Sequence, residues 1–192
     1  MQKRRWISND ELERIMQADM KHASRNFTKD MFVFACFTGI SYVDLYHLKH
    51  SDIQKQEDGS LIIILKRQKT NVVSCIPLLP VAQAILDRYR DSRFSGYGGK
   101  VFRMQTLTGM DAHLKQIAKV AKVDKRLTFH MGRHTFSTTV CLSQGISIET
   151  LSRMLGHSSI STTQIYAEVT RIKINEDMTN LEKRIEGKYK LA

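Results

Sequence analysis

Cysteine is scarce and unpatterned in this chain. Its three cysteines, Cys36, Cys75 and Cys141, lie far apart and are odd in number. No C-x-x-C pair suggests structural zinc, and the scatter implies buried free thiols in a reducing compartment, not a disulfide scaffold. No apolar run approaches the roughly 20 residues that cross a bilayer. The opening MQKRRWISND is basic, but no apolar stretch follows, so it does not read as a secretory signal. Repeats and low-complexity tracts are absent. The glycine-rich stretch SRFSGYGGK (92–100) follows a predicted helix and lacks the G-x-x-x-x-G-K-[ST] spacing of a nucleotide-binding loop. It reads as a loop over the domain surface or over a bound polyanion. Acids are also in short supply: 19 stand against 30 Lys and Arg, for a net charge of +11 and a pI near 9.7. The surplus is spread along the chain, which favours a binding face for a polyanion over a basic tail.

What is present suits one sizeable soluble domain. The 192 residues are 42% hydrophobic and 26% charged, ordinary for a chain with a real core. Ser8 and Glu11 form an S-x-x-E capping box with Ile7 before it, so a helix follows with Leu12, Ile15, Met16 and Met20 on its inner face. A buried helix is expected from Thr28 to Phe37, ended by Gly39. Strands are expected at 52–56, 60–67 and 72–76, with a Glu57-Asp58-Gly59 turn in the first hairpin and Pro77 as the stop. Pro80 opens a helix with Val81, Ile85 and Tyr89 inward. Another helix spans Thr106 to Val120, with Met110, Leu114, Ile117 and Ala121 as its stripe. Lys115, Lys119 and Lys122 lie elsewhere on it, either toward phosphates or simply solvated. Ile174, Met178, Leu181 and Ile185 make a last helical stripe.

Chemistry concentrates in one stretch, HMGRHTFSTTVCLSQGISIETLSRMLGHSSISTTQIY, from His130 to Tyr166. His130 and Arg133 share a helix face at i, i+3. Phe136, Val140 and Cys141 anchor their helix, which Gly145 ends. Ile148, Leu151 and Leu155 carry a short helix that Gly156 breaks, exposing His157. Arginine clamps phosphate oxygens bidentately, histidine moves protons near neutral pH, and tyrosine can act as a covalent nucleophile. A free tyrosine has a pKa of about 10, so attack at neutral pH needs cations or a base beside it.

H-x-x-R-H, L-G-H and the final tyrosine, in this order and spacing, resemble the catalytic domain of the tyrosine recombinases, the phage-type integrases. The resemblance runs from about Ser8 to Tyr166. It implies an α+β fold, mainly helical with a small antiparallel sheet, of the DNA breaking-rejoining type. It implies Tyr166 as the nucleophile that forms a 3′-phosphotyrosine, with His130, Arg133 and His157 on the scissile phosphate and His134 structural. Lys69, in the second hairpin, matches the family's general acid, although a lone turn lysine is more often solvated. The family pattern Thr-Gly-x-Arg-x-x-Glu-Leu is met by Thr38, Gly39, Asp44 and Leu45, but Ser41 stands where the first catalytic arginine belongs. That departure, with the FTG-x-x-Y-x-D-L phrase, is similar to conjugative-transposon integrases of gut anaerobes. Arg67 precedes Lys69 by two positions, which on a strand share a face. It is the first candidate for the missing cation, with solvent or DNA backbone as its alternative. Arg25 and Lys29 are weaker ones.

The same resemblance implies no cofactor, metal or ATP, because the phosphotyrosine conserves the bond. The pairs His47/His50 and His130/His134 lack the further ligands of a metal site. Double-stranded DNA is the expected partner, with a homotetramer on DNA, an accessory DNA-bending protein, and a bacterial, nucleoid-associated, cytoplasmic setting. Residues 1–7 read as a linker remnant, 8–170 as the catalytic domain, and 171–192 as a helical tail that packs in cis or docks in trans. Two alternatives stay open: a catalytically silent DNA-binding regulator, and a type IB topoisomerase-like activity.

Overall fold

A computed structural model describes residues 6–166 and 171–188, with side chains of the last helix described from Asp177. The architecture is mainly helical with one small antiparallel sheet, as expected. Its elements are α1 (Asn9–Gln17), α2 (Ala23–Thr38), α3 (Tyr42–His47), β1 (Ile53–Lys55), β2 (Leu61–Lys66), β3 (Val73–Pro77), α4 (Pro80–Tyr89), α5 (Leu107–Val120), α6 (Phe129–Thr135), α7 (Ile148–Leu155), α8 (Ser161–Gln164) and α9 (Arg171–Ile185). The sheet runs β1-β2-β3, all antiparallel, with Ile63 opposite both Ile53 and Ile76.

Helix α1 starts at the expected capping box: Ser8 and Glu11 satisfy each other's backbone N–H groups. Leu12, Ile15 and Met20 are buried, but Met16 is exposed although it lies inside the helix. Ile7, on the linker side of the expected boundary, is itself fully buried. The expected Lys3–Arg5 linker segment lies outside the described residues.

Helix α2 is the central element and begins earlier than expected, at Ala23. Phe27, Met31, Phe32 and Phe34 are fully buried along it. Each such side chain contributes roughly 1.5–3 kcal/mol relative to exposure. Phe94, from the glycine-rich loop, stacks on Phe27 at 4.5 Å, so that loop is pinned to the core. Lys29 is not a site cation: it is buried, and its Nζ donates to the Ala18 carbonyl at 2.6 Å, closing the end of α1. Cys36 and Cys141 are buried and Cys75 is exposed; all three are free thiols.

Two features position the site. Helix α6 lies against α2 because residue 132 is glycine: a Cβ there would sit 2.9 Å from Ala35 Cβ. Beyond α6 the helix widens into a π-helical segment, Phe136–Cys141, followed by a 3-10 turn and left-handed Gly145. The sequence explains the widening. Hydroxyls of Thr135, Ser137 and Thr138 donate to the carbonyls of Met131, Arg133 and His134, at 2.8, 2.9 and 2.7 Å. They compete there with the helical N–H donors.

Strand β3 includes Pro77 instead of stopping before it, on an edge where the missing N–H costs nothing. On α9, Met178, Leu181 and Ile185 are exposed; the side chain of Ile174 lies outside the described residues. Among the described residues no helix is long and apolar enough to cross a membrane.

Candidate active site

The site forms where the C-terminus of α7 meets the β2–β3 hairpin. The last carbonyls of a helix have no partner within it. Here the Met154 carbonyl accepts from Ser74 Oγ, and the Gly156 carbonyl accepts from Thr70 Oγ1 at 3.1 Å. The Leu155 carbonyl accepts from two guanidinium groups, Arg67 Nη1 at 2.9 Å and Arg133 Nη2 at 2.8 Å. The negative end of the helix dipole favours both cations. Gly156 makes the approach possible: its φ of +60° suits glycine, and a Cβ would lie 2.7 Å from Arg67 Cγ.

Arg133 also reaches α2. Its Nη1 donates to the Gly39 carbonyl, the α2 cap, at 2.7 Å, and its Nη2 contacts His157 Nε2 at 2.9 Å. Burial, then repulsion from Arg67, pulls its pKa down to about 10, while Tyr166 and Asp44 act in the opposite sense. Arg67 is likewise buried and held below its ordinary value by desolvation, opposed by Asp44 and Tyr166.

Asp44 is the anionic counterweight, and sequence inspection gave it no role. Its Oδ2 lies 2.7 Å from Arg67 Nε as an ion pair, although that N–H does not point along the line. The same oxygen accepts from Ser41 Oγ at 2.5 Å, and Oδ1 accepts from the Gln68 N–H at 2.9 Å. Ser41 caps α3, and no cation stands at its position. The signal was there: an acid in register with the family's glutamate. Its partner could not be read from spacing alone.

Arg67 and Lys69 do not share a strand face. The strand ends at Lys66; Arg67 closes the turn by pairing with Val72, and Lys69 sits exposed in that turn. Strand alternation therefore does not govern the pair. Arg67 turns inward to Arg133, whereas Lys69 faces outward beside His130. His130 is exposed at one edge yet held below its ordinary pKa by desolvation, Arg133 and Lys69.

Tyr166 is buried, with 8% exposure, within the electrostatic reach of Arg133. A row of rings surrounds it. His134 meets it edge-on at 5.1 Å, His157 lies parallel at 6.5 Å, and His130 meets His134 at 4.7 Å. Burial, then Arg133 and Arg67, pushes His157 down to about 4, so the imidazole is neutral at neutral pH. The fold thus gathers Tyr166, Arg133, His157 and Arg67 inside, with His130 and Lys69 on the rim. His47 and His50 are both exposed, and no group of three or more metal-ligating side chains occurs among the described residues. Two buried guanidinium groups facing one carboxylate leave an unbalanced positive charge beside a phenol. That is a setting for a phosphodiester.

Residues 5–172 match the phage integrase family. A tyrosine recombinase XerC from Pediococcus pentosaceus is 30% identical over 176 residues, spanning 85% of this chain and 56% of that protein. The XerA recombinase crystal structure superposes with a TM-score of 0.71 at 28% identity, over 91% of this chain and 64% of that one. A structure of the XerH site-specific recombinase bound to difH substrate gives a TM-score of 0.72 at 20% identity, over 91% of this chain and 54% of that one. The chain therefore spans little more than half the length of the XerC protein it matches.

Proposed function

Because this chain belongs to the phage integrase family of tyrosine recombinases, we propose that it is the catalytic domain of a site-specific DNA recombinase. The observation that carries this reading is the meeting of Arg133 and Arg67 on the Leu155 carbonyl, with His157 held by Arg133 and lying parallel to the Tyr166 ring at 6.5 Å, and a surplus of buried positive charge beside them. The two guanidinium groups offset the negative charge that builds on the phosphate oxygens as the phenol gives up its proton and attacks. Tyr166 Oη attacks the scissile phosphorus, forming the 3′-phosphotyrosyl bond as the P–O5′ bond breaks. Lys69 gives its proton to the departing 5′ oxygen. Arg133, His130 and His157 hold the non-bridging oxygens, and Arg67 takes the place of the arginine absent at Ser41. A second 5′-hydroxyl then attacks the phosphotyrosine, returns Tyr166 and rejoins DNA without a metal ion or ATP.

Double-stranded DNA is the substrate, held by the basic surface, and assembly is a homotetramer on DNA. The exposed Met178, Leu181 and Ile185 support docking of the 171–192 tail on a neighbouring copy. The Ser41 departure favours an origin in a conjugative transposon.

That departure also motivates a second reading, a silent DNA-binding regulator of the same fold. One experiment separates them. On a nicked suicide duplex bearing the recognition site, the recombinase gives a covalent protein–DNA adduct on denaturing gels, lost in Tyr166→Phe. Salt-sensitive binding without any adduct selects the regulator.

A further inference from the structure

His157 lies on a chain of hydrogen bonds whose directions are set by the donor at one end. A guanidinium has no lone pair to offer, so Arg133 Nη2 donates across its 2.9 Å contact and His157 Nε2 accepts. A neutral imidazole carries one ring proton, which must then sit on Nδ1. Nδ1 is 2.7 Å from Thr163 Oγ1, so the hydroxyl accepts. The reverse tautomer would set an Nε2–H against a guanidinium N–H, two donors face to face. Thr163 is fully buried, and its carbonyl accepts from the Tyr166 N–H at 3.0 Å.

We propose that Thr163 is a positioning residue: its hydroxyl fixes His157 in the Nδ1-protonated tautomer, holding the ring against Arg133 and alongside the nucleophile's turn. Thr163 stands three positions before Tyr166, on the far side of the ring from the guanidinium, and touches neither Arg133 nor Lys69 in any hydrogen bond described. Its effect on chemistry passes through His157. Valine at this position keeps the volume and removes the acceptor, leaving the Nδ1–H buried without a partner. Serine keeps the oxygen. The tautomer is a property of the free protein. The catalytic consequence rests on the strand-cleavage reading above.

Long-range ¹H–¹⁵N NMR of the ¹⁵N-labelled chain reads the tautomer directly, with His157→Gln assigning the ring signals. The expected wild-type spectrum has Nδ1 protonated and Nε2 bare. Thr163→Val shifts His157 toward the other tautomer or an average, and Thr163→Ser keeps the wild-type pattern. A bare Nδ1 in the wild-type protein overturns the proposal even if the valine variant fails to fold, and so does an unchanged spectrum in a folded Thr163→Val. The suicide-substrate assay adds a second readout. Thr163→Val slows adduct formation about 10-fold at unchanged DNA affinity, the scale of one lost hydrogen bond, and Thr163→Ser restores it. In a His157→Ala background the valine adds no further loss; additive losses contradict action through His157. If no adduct forms with the wild-type chain, the recombinase reading fails and the NMR result still decides this one.

Discussion

The interior and the rim of this site are built on opposite terms. Inside, Arg133 and Arg67 are buried and fastened by the fold itself to the Leu155 carbonyl, to Gly39 and to Asp44. On the rim, Lys69 sits exposed in a hairpin turn and His130 keeps an exposed edge. The difference teaches which part of the machinery the fold supplies and which part the substrate completes. Oxyanion clamps act best when prearranged, since they then need no reorganisation during reaction. On the proposed reading Lys69, as general acid, meets a leaving oxygen that only the bound strand brings, and an exposed position suits that task.

Substitutions can break that contrast. The largest loss is expected in the interior: Arg133→Ala lowers the rate of adduct formation by about 10²–10³-fold, the range for one lost clamp. It also lowers the melting temperature, because buried carbonyls lose their donor. On the rim, Lys69→Ala slows cleavage about 10²-fold, within the range for a lost general acid, with melting unchanged. A 5′-thiolate leaving group needs no protonation and should recover most of that loss. Equal melting losses at Arg133 and Lys69 would erase the distinction. A smaller effect is expected from Gly156→Ala, whose Cβ would press on Arg67 Cγ at 2.7 Å in a left-handed backbone. About 1–3 kcal/mol of stability is expected to go, measured by denaturant titration, with slower cleavage.

The smallest effect is on pH dependence. His157 titrates at about 4 in the folded chain, below the value near 6.5 of an unfolded one. On acidification the unfolded state binds the proton first. Stability is therefore full above pH of about 6.5 and declines as pH falls toward about 4. His130 and His113, also lowered, act in the same direction. The slope of melting temperature against pH in that window should be shallower in His157→Gln than in wild type.

Much of this molecule could be read from the chain. The capping box at Ser8, the strand Leu61–Lys66 and the glycine stops at 39, 145 and 156 rest on local backbone chemistry, and local chemistry is visible in sequence. Met16 lies inside α1 yet is exposed, because periodicity marks a face while tertiary packing sets how wide a stripe of it is covered. The inward turn of Arg67 was reached on a strand argument that the turn at Gln68 breaks; what aims it is Asp44, distant in sequence. Lys29 looked like a spare cation, and only the path of α1 makes it a cap. Thr163 carried no signal at all, since its role depends on the tautomer of a ring six positions earlier.

The central claim is that two guanidinium groups, from Arg133 and from Arg67 in place of the arginine absent at Ser41, clamp one phosphate beside Tyr166. Single-turnover cleavage of a suicide duplex by Arg67→Ala and Ser41→Ala tests it most directly. Arg67→Ala should lose about 10²-fold in rate at near-normal DNA affinity, while Ser41→Ala stays within a few-fold of wild type. Wild-type cleavage by a folded Arg67→Ala would contradict it.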